Sequence, residues 1–556
     1  MKEKRNQKIK LKIKLNKYQI VWCLLSGITT GLVFSIPHIN CLIWFTLIPF
    51  FYSLYSIQLN IRIAFKCSFL FSISFYIVSL HWFLRLHPLT WLGFSNLESI
   101  LIVFGGLIFI SLIVSLWIWI FGVLLALFKP EGWNRISYPF MLWIIIEWLQ
   151  SLGKLSMPWS RLVLTQVNNL PILQISKWTG SIFISGLIIL VNSSIACFII
   201  EFLNKKYNNK ILSIRQIYKL LSFKYLIIVI LIWILIYGLG YYLLQSNKNL
   251  ESKSINISLI QGNIKQDQKW EVGALYKILD TYISLSQEAI SENKPQLVIW
   301  PESAIPVSLR EFLTVDQQIP KFVYQNSIYL LTGIFDHPEN NTNNYYNAAA
   351  LFNPYGQIIG WYYKRHLVPF GEFIPFRDIL SLVASNITNI NALKHDIIPG
   401  KNSSIFNLPF AKIGTIICFE SLYSELVRRS VIDGANLLVI ITNDSWYKDS
   451  IAGFQHNSHA VLRAIENNRY ILRSANTGIS SIISPTGEVI QRTNLLEKTF
   501  INGKVKVITE TTFFTKYGDW MIYLILIYLI VSFIVLKIKK LKRSYIFIAN
   551  FLLNWC

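Results

Sequence analysis

The sequence predicts a polytopic α-helical membrane protein with one α/β domain inserted outside the membrane. Of its 556 residues, 53% are hydrophobic and only 15% are charged, whereas soluble domains carry about 25% charged residues. The net charge of +23 is unevenly placed: residues 246–515 hold 24 Lys and Arg against 23 Asp and Glu, and the remainder holds 28 against 6. Cytoplasmic loops of membrane proteins collect such basic residues. The distribution therefore argues against a nucleic-acid-binding protein.

Eight apolar stretches are long enough to cross a bilayer, which takes about 20 apolar residues. They lie near 18–36, 39–58, 64–84, 98–128, 136–152, 178–203, 225–245 and 519–536. The fifth is the weakest, because it is short and contains Glu147. This pattern predicts a membrane domain at 1–245, an extramembrane domain at 246–515, and an eighth span with a basic tail at 516–556. The apolar end, Ser544–Cys556, is too short to cross and is interpreted as interfacial.

The basic residues also predict the orientation. Eight Lys and Arg precede residue 18, six lie between spans six and seven, and five follow the last span. The positive-inside rule then places both termini in the cytoplasm. With seven spans before it, the 246–515 domain is expected on the opposite face, the periplasm of a bacterium with two membranes. Three tryptophans in the outer loops, Trp82, Trp91 and Trp159, suit a belt at the headgroup level.

From residue 255 the pattern changes to short apolar runs ended by turn residues, which predicts a layered α/β domain with mixed sheets. The predicted helices are Trp270–Ser291 and Gly453–Asn467. The predicted strands are Ile255–Ile260, Gln296–Trp300, Ile328–Ile334, Ala348–Phe352, Ile358–Tyr363, Lys412–Ile417, Leu437–Ile441, Ile471–Ser474 and Ile479–Ile483.

Three reactive residues each end a predicted strand of this domain: Glu302, Lys364 and Cys418. Ligands of open α/β sheets bind at the carboxyl edge of the strands. A carboxylate, an ammonium and a thiol that meet there can perform covalent acyl chemistry. The carboxylate takes the thiol proton, and the ammonium stabilises the thiolate, which lowers the pKa of the thiol, and then the oxyanion. The alternative, non-catalytic roles of these three residues are a helix-capping Glu, a solvent-exposed Lys and a small buried Cys. Cys418 is the one cysteine of the domain, so no internal disulfide explains it.

Nothing in the sequence predicts a metal or cofactor. His456 and His459 stand three residues apart without a neighbouring Cys or carboxylate pattern, which favours a packing or surface role. No phosphate-binding glycine loop is present.

Around the three reactive residues lie more specific segments. They read WPESAIP at 300–306, KRHLVPFGE at 364–372, CFE at 418–420, QGNI at 261–264 and TNDSW at 442–446. With Trp270 and the outer-loop pair Pro158 and Trp159, they resemble the apolipoprotein N-acyltransferase family, the membrane-bound branch of the nitrilase superfamily. The resemblance covers essentially the whole chain and implies a nitrilase-like αββα sandwich.

The resemblance implies an acyl transfer in two half-reactions. Cys418 attacks a phospholipid ester with Glu302 as general base and Lys364 stabilising charge, and the α-amine of a diacylglyceryl-cysteine lipoprotein then takes the acyl chain. Glu372 is implied as a second essential carboxylate. Glu420 and Trp446 are implied to line or support the site, and Trp270 to sit on a mobile arm near its entrance. Phe419 departs from the family, which usually has Tyr there.

Two alternatives remain open. A membrane-tethered nitrilase-type amidase or hydrolase needs the same triad, although eight spans have no reason to exist for a small soluble substrate. A transporter or scaffold predicts paired charges at membrane depth, where Glu147 alone is a candidate. The partners expected for the acyltransferase are the bilayer, a phospholipid donor and an apolipoprotein acceptor, with the protein a monomer that binds no nucleic acid.

Overall fold

A computed structural model describes residues 15, 17–56, 59–208, 220–246, 254–270, 273–308, 313–338, 344–377 and 397–553. Several predicted features lie outside these residues. They are the basic N-terminus up to residue 14, most of the basic loop before residue 220, and the last three residues.

The N-terminal half is a bundle of helices. Their bounds are α1 Lys17–Ser35, α2 Ile43–Thr46, α3 Ile48–Tyr55, α4 Ile61–Ser79, α5 Asn96–Phe128, α6 Asn134–Leu149, α7 Leu170–Leu173, α8 Ser176–Thr179, α9 Ile182–Asn208 and α10 Leu221–Ser246. Many apolar side chains of α5 and α10 are exposed, which suits helices surrounded by lipid.

Within the described residues, seven helical segments are long and apolar enough to cross a membrane. They correspond to seven of the eight predicted stretches, and the second is the kinked run Pro37–Tyr55. The predicted fifth stretch forms α6, which has 16 residues and contains Pro139. Glu147 near its end is buried, and its Oε1 accepts hydrogen bonds from Trp143 Nε1 at 2.9 Å and Leu162 N at 3.2 Å. The span predicted at 136–152 therefore stays a prediction.

Small residues bring α1 and α4 into close contact. A Cβ atom on Gly27 would lie 2.3 Å from the Phe71 carbonyl oxygen, and one on Gly31 would lie 2.6 Å from Val78 Cβ. Because lipid gives helices no hydrophobic reason to associate, close packing over small residues holds such pairs together.

The second half contains two sheets. Their strands are β1 Ser254–Gln261, β2 Leu297–Ile299, β3 Ile305–Ser308, β4 Tyr329–Asp336, β5 Tyr346–Phe352, β6 Ile358–Tyr363, β7 Ile405–Asn407, β8 Lys412–Ile417, β9 Leu437–Thr442, β10 Ile471–Ala475, β11 Ser481–Ile483, β12 Val489–Arg492 and β13 Thr499–Lys506. The first sheet has the order β13-β1-β2-β4-β5-β6, with β3 beside β4, and the second β12-β11-β10-β9-β8-β7.

The two sheets pack face to face between helices. Ser474 of β10 donates from its hydroxyl to the carbonyl oxygens of Ile260 and Ile299 in the other sheet. The flanking helices are α11 Ala274–Asn293, α12 Leu313–Asn326, α13 Ser424–Ile432 and α14 Ala452–Asn467. Strands β1, β2 and β4 are parallel to one another, as are β8, β9 and β10. The residues that follow β2, β8 and β9 therefore start from carboxyl edges, as the sequence predicted for Glu302 and Cys418.

Two helices lead back to the bundle: the short α15 Phe513–Tyr517 and the 34-residue α16 Trp520–Leu553. The apolar end of the chain from Ser544, which was predicted to be interfacial, belongs to α16 as far as Leu553. Its interfacial position stays a prediction.

Candidate active site

Glu302 lies directly beyond β2 and is 5% exposed. Its Oε1 accepts hydrogen bonds from Lys364 Nζ at 3.1 Å and Asn347 Nδ2 at 2.7 Å, and its Oε2 accepts one from the Asn443 backbone N–H at 2.7 Å. A carboxylate offers about four acceptor positions. The contacts among the described residues therefore leave acceptor capacity on Oε2.

The backbone at Glu302 requires a glycine on the neighbouring strand β4. A Cβ atom on Gly333 would lie 2.5 Å from the Pro301 carbonyl oxygen and 2.6 Å from the Glu302 Cα. Ser303, the next residue, has a left-handed φ of 49°. The chain thus turns sharply at the carboxylate, and Lys269 Nζ donates to the Ser303 carbonyl at 3.0 Å. Burial lowers the pKa of Lys269 to about 8, against the opposing effect of Glu302.

Lys364 connects two carboxylates. It follows β6, its side chain is 1% exposed, and its Nζ lies 2.8 Å from Glu372 Oε1 as well as 3.1 Å from Glu302. Burial opposes its charge, but Glu302 and Glu372 outweigh burial and raise the pKa of the ammonium. Asn347 Nδ2 donates to Glu372 Oε1 at 2.9 Å, so one amide connects the same two carboxylates.

Cys418 begins a short 3₁₀ turn, Cys418–Leu422, directly after β8. Its φ is 54°, a left-handed conformation that costs a non-glycine residue energy and often marks a functional site. A nucleophile on a sharp turn after a strand is thereby presented at the edge of the sheet.

Burial and the Glu302 carboxylate raise the pKa of the Cys418 thiol well above its ordinary value, although Lys364 acts in the opposite direction. The sequence-based expectation of a lowered thiol pKa was wrong, since it counted the ammonium and not the desolvation. The resting group is a neutral thiol, so its activation requires a base.

Glu420 is fully buried and stabilises the turn Cys418–Leu422 through hydrogen bonds. Its Oε2 accepts from the Ile417 N–H at 2.8 Å and the Tyr362 hydroxyl at 2.7 Å, and its Oε1 accepts from the Arg365 N–H at 2.6 Å. It therefore joins the segment that carries Lys364 to the segment that carries Cys418.

Phe419 is 4% exposed, and its ring centroid lies 5.5 Å from that of Tyr423 and 6.0 Å from that of His366. Tyr423 in turn donates to the Ser156 carbonyl at 2.7 Å. The ring at position 419 thus belongs to a packed aromatic group that reaches the membrane-domain loop.

Asp444, His456 and Arg473 form a fully buried cluster behind the nucleophile. His456 Nδ1 lies 2.8 Å from Asp444 Oδ1, and His456 Nε2 lies 3.2 Å from the Cys418 carbonyl oxygen. Arg473 donates to Asp444 Oδ2 at 2.8 Å. Burial opposes ionisation of Asp444, but Arg473 and His456 lower the pKa of its carboxyl well below the usual range.

One potential metal-ligating atom each of Cys418, Asp444 and His456 lie within 4.8 Å of one another. The hydrogen-bond partners described above explain this grouping without an ion, because Asp444 already pairs with the Arg473 guanidinium. His456 was expected in a packing or surface role, and it is fully buried.

The tryptophans correct another expectation. Trp82 and Trp159 are 3% and 2% exposed, and each packs its ring against Tyr447 of the α/β domain, at 4.9 and 5.6 Å between centroids. They form an interdomain contact and not a headgroup belt. Trp446, predicted to support the site, is half-buried with its ring 5.3 Å from Trp91. The side chain of Trp270 lies outside the described residues.

The structure thus brings Glu302, Lys364 and Glu372 into direct contact, with Cys418 and Glu420 beside them. Sequence reasoning missed Asn347 and His456 as part of this arrangement. Asn443 and Asp444 stood in a segment already singled out, TNDSW at 442–446, which was the available signal.

Comparisons with known proteins agree with the fold. Residues 256–511 match the family model described as carbon-nitrogen hydrolase, and residues 26–194 match that of the apolipoprotein N-acyltransferase N-terminal domain. The chain is 30% identical to an apolipoprotein N-acyltransferase of Geobacter metallireducens over 89% of this chain and 91% of that protein. It is also 30% identical to one of Aquifex aeolicus, over 84% and 95%, and 28% identical to one of Synechocystis sp., over 82% and 86%. The predicted architecture, helices in a membrane domain plus a nitrilase-like α/β domain, is confirmed.

Proposed function

The chain belongs to the apolipoprotein N-acyltransferase family, and from this premise we propose that it transfers a fatty acyl chain from a phospholipid to the α-amine of a diacylglyceryl-cysteine lipoprotein. The single observation that carries the mechanism is the Glu302 carboxylate, which keeps acceptor capacity on Oε2 and acts electrostatically on the buried Cys418 thiol. A base next to a neutral thiol is the requirement for covalent acyl chemistry.

In the first half-reaction the Cys418 sulfur attacks the ester carbonyl carbon while Glu302 takes the thiol proton. The tetrahedral intermediate collapses to a thioester, the ester C–O bond breaks, and the proton on Glu302 passes to the departing lysophospholipid oxygen. Lys364 stabilises the negative charge on sulfur and on the oxyanion, since its ammonium is fixed by Glu302 and Glu372.

In the second half-reaction the α-amine of the lipoprotein attacks the thioester carbon. Glu302 accepts a proton from the nitrogen and returns it to the sulfur as the C–S bond breaks, which regenerates the thiol and releases the amide product. Glu372 acts through Lys364: its Oε1 lies 2.8 Å from Lys364 Nζ and its Oε2 accepts from the Val368 N–H at 2.8 Å. We assign to Glu372 the role of positioning the Lys364 ammonium between the two carboxylates.

The same proposal includes the topology. Both substrates expose their reacting groups on the outer face of the cytoplasmic membrane. The 246–515 domain therefore belongs in the periplasm, between seven spans in 1–245 and one in 516–556, and the monomer suffices for the site.

The hydrolase alternative shares the triad, so the α/β domain alone does not separate the two activities. The match of residues 26–194 to the acyltransferase N-terminal domain favours acyl transfer. A scaffold without chemistry leaves the strained Cys418 turn and the Lys364 ammonium between two carboxylates unexplained.

The test uses the purified full-length protein and a phospholipid with a labelled acyl chain. We expect the intact mass to increase by one acyl chain on Cys418, and a diacylglyceryl lipopeptide to remove it. Cys418→Ala should give neither acyl-enzyme nor product while it keeps the wild-type melting temperature. Product formation by that variant at more than a few per cent of the wild-type rate would refute the covalent mechanism.

A further inference from the structure

Gln455, in the first turn of α14, is buried where the two halves of the protein meet. Its Nε2 donates to the carbonyl oxygens of Phe34 at 3.2 Å and Ser79 at 3.4 Å. These residues stand at the ends of α1 and α4, where helix carbonyls lack partners within the helix. One side chain of the α/β domain thus binds the ends of two helices of the bundle.

The same amide receives a third hydrogen bond from the membrane domain. Trp159 Nε1 donates to Gln455 Oε1 at 2.7 Å, and the Trp159 carbonyl oxygen lies 3.2 Å from His459 Nε2, one turn along α14. The start of α14 is therefore fixed against the outer loop as well as against α1 and α4.

The next residue of α14 is His456, which contacts the nucleophile turn. Its Nε2 lies 3.2 Å from both the Cys418 carbonyl oxygen and the Ser421 hydroxyl, and its Nδ1 lies 2.8 Å from Asp444 Oδ1. Asp444 adjoins Asn443, whose N–H donates to Glu302. The first turn of α14 therefore contacts the backbone of Cys418, the proposed nucleophile. Through Asp444 and Asn443 it is also connected to Glu302, the proposed base.

We propose that Gln455 is a positioning residue for Cys418: its bonds to Phe34, Ser79 and Trp159 fix the first turn of α14, and His456 passes that position to the nucleophile. The inference rests on the proposed function, because it takes Cys418 as the nucleophile. A left-handed backbone at Cys418 persists only where the surrounding structure stabilises it. The contact between His456 Nε2 and the Cys418 carbonyl oxygen is one such stabilising contact.

Gln174 supplies a matched control. It is also buried, and its Nε2 donates across the same interface to the Thr486 carbonyl at 2.9 Å. Thr486 lies in the turn between β11 and β12, at one edge of the second sheet. Cys418 follows β8, which lies near the opposite edge of that sheet. Loss of this bond removes one interdomain contact without touching the nucleophile turn.

The experiment compares Gln455→Leu, Gln174→Leu and the wild type as full-length proteins in phospholipid vesicles. Two rates are measured: single-turnover formation of the acyl-enzyme from a labelled phospholipid, and alkylation of Cys418 by iodoacetamide, read on its own peptide by mass spectrometry. A misplacement of about 1 Å costs up to about 100-fold in rate.

For Gln455→Leu we expect acylation to fall about 10- to 100-fold, with the half-saturating phospholipid concentration unchanged. Alkylation of Cys418 should become faster, because a released turn exposes the thiol. Gln174→Leu should change neither rate by more than about twofold. Trp159→Phe keeps an aromatic ring but removes the Nε1–H that donates to Gln455, and it should shift both rates in the Gln455→Leu directions by a smaller factor. If Gln455→Leu does not fold, the rates of Trp159→Phe decide the test instead.

Acylation within about twofold of wild type in Gln455→Leu, or an equal loss in Gln174→Leu, would overturn the proposal. Failure of the proposed function looks different. In that case the wild type itself forms no acyl-enzyme on Cys418, while the alkylation rates still report whether Gln455 holds the turn.

Discussion

Replacement of Lys364 by methionine leaves the Glu302 and Glu372 carboxylates buried without their shared cation. The ammonium lies 3.1 and 2.8 Å from the two carboxylates, and the three side chains are 1%, 6% and 13% exposed. The methionine fills much of the same volume, so the main change is the lost charge. We expect Lys364→Met to be inactive and markedly less stable.

The size of the loss follows from burial. Removal of one partner of a buried ion pair costs about 3–5 kcal/mol, because a charge is left uncompensated away from water. That corresponds to a melting temperature lower by roughly 10 °C for a domain of this size. Lys205→Met is the matched control: its pair with Glu201 is 3.7 Å long and its side chain is 45% exposed, so the loss should stay below about 1 kcal/mol.

The assay is thermal unfolding of the full-length proteins in the same detergent. Addition of Glu372→Gln to this variant removes one of the two charges and should restore much of the stability without restoring activity.

Two results would contradict this reasoning. Lys364→Met with the wild-type melting temperature would mean that the carboxylates are hydrated and not buried. A double variant no more stable than Lys364→Met would mean that repulsion between Glu302 and Glu372 is not the source of the loss.

Three further predictions follow from the site and from the topology. Glu302→Gln should stop acyl-enzyme formation from a labelled phospholipid yet speed alkylation of Cys418 at about pH 8, because the carboxylate that raises the thiol pKa is gone; slower alkylation would contradict its electrostatic role. Glu420→Gln should lower the acylation rate about 10-fold or more, since the single oxygen of an amide cannot accept from all four donors of the carboxylate at once; a wild-type single-turnover rate would remove it from the support of the turn. Tyr355→Cys, at a side chain 76% exposed, should react with a membrane-impermeant maleimide in cells with a permeabilised outer membrane, whereas a cysteine at Lys205 should not; the reverse pattern would place the domain in the cytoplasm.

The elements that the sequence predicted well are those with one strong pattern. Apolar stretches located the helices of the bundle, and short apolar runs located nine strands. The four strands it missed have weak patterns: β3 contains Pro306, β7 has only three residues, β12 is largely exposed, and β13 carries Asn502 and Gly503 in its middle. Likewise α12 contains Pro320, which argues against a helix when the chain is read locally.

The site divides in the same way. Glu302, Lys364 and Cys418 could be found because each ends an apolar run and carries reactive chemistry. Asn347 could not, since an amide in the second position of a strand has no local signature and gains its meaning only where two carboxylates meet. The direction of the thiol pKa depends on burial, which no local sequence pattern reports. Trp82 and Trp159 were assigned to lipid because the sequence does not tell which outer-loop aromatics another domain covers.

The bonds of Gln455 also set an order of events during synthesis. Its partner carbonyl at Phe34 precedes it by 421 residues, so at about 5–20 residues per second the end of α1 waits roughly 20–80 s for the ribosome to reach the residue that binds it. The end of α4 waits almost as long. During that interval the carbonyls of Phe34 and Ser79 lack their bond to Gln455, and Trp159 lacks its acceptor there. The ends of α1 and α4 therefore receive these partners only after most of the chain has been made.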